Sequence, residues 1–168
     1  MRRSAAASGS ALFFALAPGV VVGLVPWWLT GWRPRTAPVW WLPARILGAV
    51  LVVASVAVLA MAFARFVTEG LGTPAPVAPT AHLVVGGLYR YVRNPMYLAV
   101  IAGVLGQALL LARPVLLGWA AVSTAAMVAF VKGYEERVLA DRYGDEYRAY
   151  RAAVPGWWPR PQAWHPPS

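Results

Sequence analysis

Cysteine is missing from this 168-residue chain, which removes disulfides, thiolate nucleophiles and cysteine-ligated zinc from consideration. Charge is scarce as well: 12% of residues are Asp, Glu, Lys or Arg and 60% are hydrophobic, whereas an ordinary soluble domain carries roughly a quarter charged. That balance argues against an aqueous globule, and the composition predicts an integral membrane protein. Only six carboxylates and two histidines are present, and no metal site is read from them. Alternation of apolar and polar residues, the mark of a half-buried strand, is absent from the long apolar runs. An isolated segment in lipid must satisfy its own backbone hydrogen bonds, so these runs read as helices.

The few charges mark off the spans. The charge-free intervals Arg45 to Arg65, Arg93 to Arg113 and Arg113 to Lys132 hold 19, 19 and 18 residues, close to the roughly 20 that a helix needs to cross the hydrocarbon core. With the interval before Arg33, four crossings are expected, at about 11–29, 46–64, 95–112 and 115–131. Pro18 and Pro26 kink or shorten the first of them. An even number of crossings leaves both termini on one side with residues 65–94, and that side holds 11 of the 15 basic residues. By the positive-inside rule it is cytoplasmic. All six carboxylates and both histidines fall there too.

The net charge of +9 is spread over loops and helix ends rather than gathered in one stripe, which argues against nucleic acid and for anionic lipid headgroups. Arg2-Arg3 before an apolar run containing Ala15-Leu16-Ala17 has the look of a secretory leader. The apolar stretch continues to Leu29, however, so an uncleaved first helix is expected.

Trp27, Trp28, Trp32, Trp40 and Trp41 bracket the external connector 31–43 and read as interface anchors. Three prolines within 70–79 prevent a regular helix there, and Gly70-Leu71-Gly72 lacks the third glycine of a dinucleotide fingerprint. Arg113-Pro114 leaves almost no connection between the third and fourth spans, predicting a tight antiparallel hairpin. That hairpin brings Arg93–Tyr97 close to Glu135-Glu136, of which Glu136 is expected to face water. Beyond Lys132 the chain stays helical, with Gly144 as a cap and Tyr147 and Tyr150 sharing one face. The end, from Pro155, is expected to be irregular and to rest on the membrane surface. The fold class is thus all-α: an integral membrane bundle of about four helices with a cytoplasmic helical tail. One domain covers 1–168, made of an N-terminal helix pair, 1–69, and a half carrying both polar clusters, 70–168.

Those clusters are Gly87-Leu88-Tyr89-Arg90-Tyr91-Val92-Arg93-Asn94-Pro95-Met96-Tyr97 and Glu135-Glu136 with Tyr143-Gly144-Asp145-Glu146-Tyr147. Guanidinium groups suit a carboxylate or phosphate, tyrosine rings suit stacking or a cation, and the acids suit hydroxyl or ammonium groups, a mixture fitting a zwitterionic nucleotide-like ligand. The bland alternative is that arginine and tyrosine anchor a helix mouth and the acids are solvated.

The stretch from His82-Leu83-Val84 through Tyr97, followed by Glu135-Glu136, Leu139, Tyr143 to Tyr147, Tyr150 and Val154-Pro155, resembles the catalytic half of the isoprenylcysteine carboxyl methyltransferase family and its bacterial relatives. Phospholipid methyltransferases share that general plan. The resemblance implies a methyltransferase with S-adenosylmethionine held at the cytoplasmic helix ends and a lipophilic small-molecule or lipidated acceptor entering from the bilayer. It assigns cofactor contacts to Leu83, Val84, Tyr89, Asn94, Pro95, Met96, Tyr97 and Glu135, and catalytic roles to Arg93 and Glu135. Asn94 stands where better-known members carry histidine. Their acceptor-side arginine corresponds to Val131, leaving adjacent Lys132 as the substrate-binding candidate and implying an acceptor other than an isoprenylcysteine carboxylate. A carboxylate acceptor needs no general base, whereas an amine has to lose a proton, for which Glu135 or Glu136 is available. The reading from a different class is a non-enzymatic transporter component or scaffold that keeps the fold without turnover.

Overall fold

Continuous apolar sequence becomes helix throughout. The computed structural model describes residues 16–68 and 82–165, and among these no strand occurs. The helices are α1 (Leu16–Thr30), α2 (Leu42–Thr68), α3 (Pro95–Leu111), α4 (Val115–Phe130) and α5 (Glu136–Ala153). Glu69, the proline-rich stretch 70–79 and the start of the expected first crossing lie outside the described residues. Val39–Arg65 and the run Val115–Ala153 are long and apolar enough to cross a membrane, while Leu16–Thr30 and Pro95–Leu111 are apolar but shorter. Aliphatic side chains on α2 and α4 point outward, among them Val50, Val56, Leu117 and Val122, with Val53 69% exposed. In water such a surface would invite aggregation; in lipid it is matched.

The described residues fall into two compact units, one within Phe14–Ala60 and Met96–Met127, the other within Met61–Pro95 and Val128–Ser168. The first unit is organised around a missing donor. Pro26 has no N–H, so the carbonyls four and five residues earlier, of Val22 and Val21, lose a helical partner. Gln107 Nε2 donates to the Val22 carbonyl at 2.7 Å and Trp119 Nε1 to that of Val21 at 2.9 Å. The same stretch, Gly19–Leu24, is wound as a π-helix. Gln107 Oε1 in turn accepts from Trp32 Nε1 at 3.1 Å. The polar residue within α3 is therefore a structural strut for a proline-broken helix.

Small residues bring α2 and α3 into backbone contact. A Cβ on Gly48 would lie 2.6 Å from the Gly106 carbonyl oxygen, and one on Gly106 2.8 Å from that of Gly48. Close approach of this kind is how helices associate where lipid competes for apolar contacts. The expected hairpin of α3 and α4 is present, with Val104 and Ala108 packed against Leu116 and Ala120. Its turn passes through Ala112 at φ 51°, and Arg113 N returns to the Ala108 carbonyl at 3.0 Å. Arg35 N and Trp41 Nε1 reach the carbonyls of Leu111 and Leu109 at 2.9 and 3.0 Å, tying the tryptophan-rich connector to the end of α3.

Replacing Gln107 with leucine should lower stability by about 1–2 kcal/mol, since two carbonyl and indole bonds go at once. Gly48→Ala should cost about 1–3 kcal/mol through forced separation of the backbones. Thermal unfolding in detergent, with Gly118→Ala as the control at a site with open space around it, measures both.

Candidate functional site

In the second unit, the chain from His82 runs extended to Gly86, turns through a 3-10 helix at Gly87–Arg90 and enters α3 at Pro95. Gly87 has φ +58°, and a Cβ there would lie 3.0 Å from Arg65 Nε, so both conformation and space call for glycine. Pro95 opens the helix where an N–H would be unpaired in any case.

Arg93 holds this unit together. Its guanidinium donates from Nε to the Val154 carbonyl at 2.9 Å, and from one terminal nitrogen to Glu136 Oε1 at 2.9 Å and the Tyr147 hydroxyl at 3.1 Å. Arg151, on the solvent side, pairs with the other Glu136 oxygen at 3.0 Å. The Arg93 and Glu136 side chains are only 14% and 12% exposed. Glu136 therefore does not face water, as the sequence reading had it: adjacent helical residues point about 100° apart, and it is Glu136 that turns to the arginine. The predicted approach of the α3 entrance to the acidic pair is realised in this contact.

α5 reaches Arg93 because Gly144, at φ 53° and ψ −123°, breaks the helix within its length. After the break Tyr147 and Tyr150 share a buried face with Val154, and Leu83, Val85 and Trp164 pack on them. Tyr150 donates to the Tyr89 carbonyl at 2.6 Å. Burial raises the Tyr150 phenol far above its ordinary value, and it raises that of Tyr147 against the opposing pull of Arg93. Both phenols are protonated at neutral pH. Because the folded state holds these protons more tightly than the unfolded chain, their contribution to stability is complete below about pH 10 and declines as pH rises beyond it.

The C-terminal segment from Pro155 is irregular, as expected, and its backbone straps this loop. Arg93 N donates to Pro155 O at 2.9 Å, Arg160 N to Tyr91 O at 2.9 Å and Trp164 N to Arg90 O at 3.0 Å. Arg90 Nε returns a bond to the Trp164 carbonyl at 2.9 Å. Extended loop backbone needs partners for its polar groups, and a chain laid alongside supplies them.

Of the residues singled out from sequence, Leu83, Val84, Tyr89, Arg93, Asn94 and Pro95 lie on this one segment, with Val84, Tyr89, Asn94 and Pro95 buried. Lys132 and Glu135 stand in the π-helix Val131–Glu135, exposed and half-buried respectively. Wide turns of this kind recur at functional positions. Met96 and Tyr97, half-buried in the first turn of α3, belong to the other compact unit. Asn94 is 7% exposed, and its side-chain Nδ2 is buried with no hydrogen-bond partner. A buried unpaired amide costs about 1–3 kcal/mol, so it marks a place where a ligand with an acceptor atom would be stabilised. That fits a cofactor rich in acceptors. Sequence reasoning named Glu136 but turned it to water, and it missed Tyr147 as a partner of Arg93 and Gly156, whose absent Cβ would lie 3.1 Å from the Arg93 guanidinium and 3.4 Å from Asn94 Nδ2. The proximity of Gly156 to Asn94 has no local sequence signal.

Comparison with family models gives a match to the phospholipid methyltransferase description over residues 44–146, within the isoprenylcysteine carboxyl methyltransferase-like membrane group. No individually curated protein matches the chain. The matched stretch includes every residue from Leu83 to Glu135, and the strap lies beyond it.

Arg93→Ala should destabilise the protein by about 2–4 kcal/mol, because Glu136 keeps its burial and loses its inner partner. Arg148→Ala, which removes an exposed pair with Asp145 at 2.7 Å, should leave the melting temperature unchanged. Paired thermal denaturation of the two variants measures the contrast.

Proposed function

The chain belongs to the phospholipid methyltransferase family, and from that premise we propose that it is a multi-pass membrane enzyme transferring a methyl group from S-adenosylmethionine to a lipophilic acceptor at the cytoplasmic face. The observation that carries this reading is the buried, unpartnered Asn94 amide beside Arg93, within the sequence that the family model matches.

The residues have distinct tasks in this reading. Leu83, Val84, Tyr89 and Pro95 supply apolar and aromatic walls that keep water out, while Asn94 donates to an acceptor atom of the cofactor. Glu135 completes the cofactor contacts within this unit. S-adenosylmethionine, when bound, supplies an electrophilic methyl group on a sulfonium sulfur. Arg93 contributes a fixed positive charge and Glu135 a carboxylate able to take the proton of an amine acceptor; an anionic acceptor requires no such base. Holding the reactants in register in a water-poor site accounts for acceleration without covalent participation by the protein. Lys132, exposed on the π turn, offers its ammonium to the polar end of the acceptor.

Membrane topology follows from the four apolar helices and the charge distribution. Four crossings put both termini and 11 of 15 basic residues on the same side, the cytoplasmic one by the positive-inside rule. The charged helix α5 then forms a cytoplasmic tail.

Purified protein incubated with methyl-labelled S-adenosylmethionine and a native lipid extract should place label in the lipid fraction. Glu135→Ala and Asn94→Ala should each lower the initial rate by about tenfold or more, the worth of one lost polar contact in the transition state. Absence of both label transfer and saturable cofactor binding by wild type would instead support the non-enzymatic scaffold.

A further inference from the structure

Three groups converge on the loop that carries Asn94, and none of them is accounted for by cofactor contact. Glu136 holds the Arg93 guanidinium at 2.9 Å and Tyr147 holds it at 3.1 Å. Val154 and Pro155, at the start of the strap, take the Arg93 Nε and backbone N–H, each at 2.9 Å. Gly156 then closes on the same place. A Cβ there would lie 3.1 Å from an Arg93 terminal nitrogen and 3.4 Å from Asn94 Nδ2, so a larger residue would push both side chains.

We propose that Glu136, with Tyr147 and the Gly156 strap, is a positioning device that fixes Arg93 and thereby holds the Asn94 amide in the orientation that binds the methyl donor. The proposal rests on the cofactor reading above and adds residues 147–156, beyond the matched stretch 44–146. Its physical basis is that Arg93 is tied to the strap through its backbone N–H as well as its side chain, each at 2.9 Å, so loosening the guanidinium frees the strap and with it the loop backbone that carries Asn94. Three acceptors, a carboxylate and a phenol on one terminal nitrogen and a carbonyl on Nε, restrict the guanidinium to a narrow range of orientations. Glu136 itself is fixed from the outside by Arg151 at 3.0 Å. Buried networks of this kind specify one arrangement when each member is satisfied. Among the described residues, Asn94 Nδ2 is one of three buried side-chain atoms without a partner, beside Arg45 Nε and Ser55 Oγ, and it is the one on this loop; it is the atom offered to the ligand.

A structural role alone would lower stability without coupling to Asn94, so the test is a double-mutant cycle on cofactor affinity. Wild type, the single variants Glu136→Ala, Tyr147→Phe, Gly156→Ala and Asn94→Ala, and the double variants joining each of Glu136→Ala, Tyr147→Phe and Gly156→Ala to Asn94→Ala, are titrated with labelled S-adenosylmethionine in lipid nanodiscs. Melting temperatures are recorded in parallel. Glu136→Ala and Gly156→Ala should each weaken binding by about tenfold in the wild-type background, and by less than about twofold once Asn94 is alanine. Tyr147→Phe, which retains the ring, should show a smaller loss with the same dependence on Asn94. Should Glu136→Ala fail to fold, the Gly156 and Tyr147 cycles carry the decision. Wild-type binding with unaltered affinity in the single variants, or losses that persist unchanged in the Asn94→Ala background, would overturn the positioning role and leave the cofactor reading intact. No saturable binding by wild type would overturn the cofactor reading itself, and the positioning role with it.

Discussion

A guanidinium with little access to water has to be neutralised and hydrogen-bonded, and the polar part of this protein is arranged around meeting that demand for Arg93. Its carboxylate comes from Glu136 at the start of α5, its phenol from Tyr147 beyond the break in that helix, and its carbonyl from Val154 where the strap begins. Those partners are far apart in sequence, so satisfying one side chain joins the loop before α3 to the entire C-terminal region. Gly144 is what makes this joining sterically feasible, since a helix continuing straight would not turn Tyr147 and Tyr150 onto the same buried cluster. The binding chemistry inferred for Asn94 depends on that frame, because Asn94 is the next residue in the chain.

The apolar unit faces a different problem with the same logic. Lipid offers no hydrogen bonds, so every donor removed by proline must be replaced from within. Pro26 removes one, and Gln107 and Trp119 cover the two carbonyls that could have used it. A polar side chain in an apolar span often signals transport or catalysis. Here its three polar contacts are all to the protein's own helices and connector, and its role is mechanical.

Much of this was readable from the chain alone. Among the described residues, charge-free intervals located the apolar helices to within a few residues, since a charge is costly on a helix face that has little access to water. The shortness of Arg113-Pro114 dictated the hairpin, and from it the meeting of Arg93 with the acidic pair. Which acid meets the arginine was not readable: Glu135 and Glu136 are chemically identical, and only helix phase, shifted by the π-helix at Val131–Glu135, decides between them. The strap's pairing was not readable, because proline- and tryptophan-rich sequence carries no local signal for which loop backbone it will meet. Asn94 was found through resemblance, while its unpaired amide was visible only once its neighbours were placed.

Hydrogen–deuterium exchange of the nanodisc-embedded protein, with and without S-adenosylmethionine, tests the central claim most directly, since it reports where a bound cofactor orders the backbone. Protection is expected in peptides covering 83–97 and 131–136, with secondary protection in 154–164 transmitted through Arg93. Unchanged exchange in all three at saturating cofactor, or protection confined to the tryptophan-rich connector at 31–41, would contradict the account.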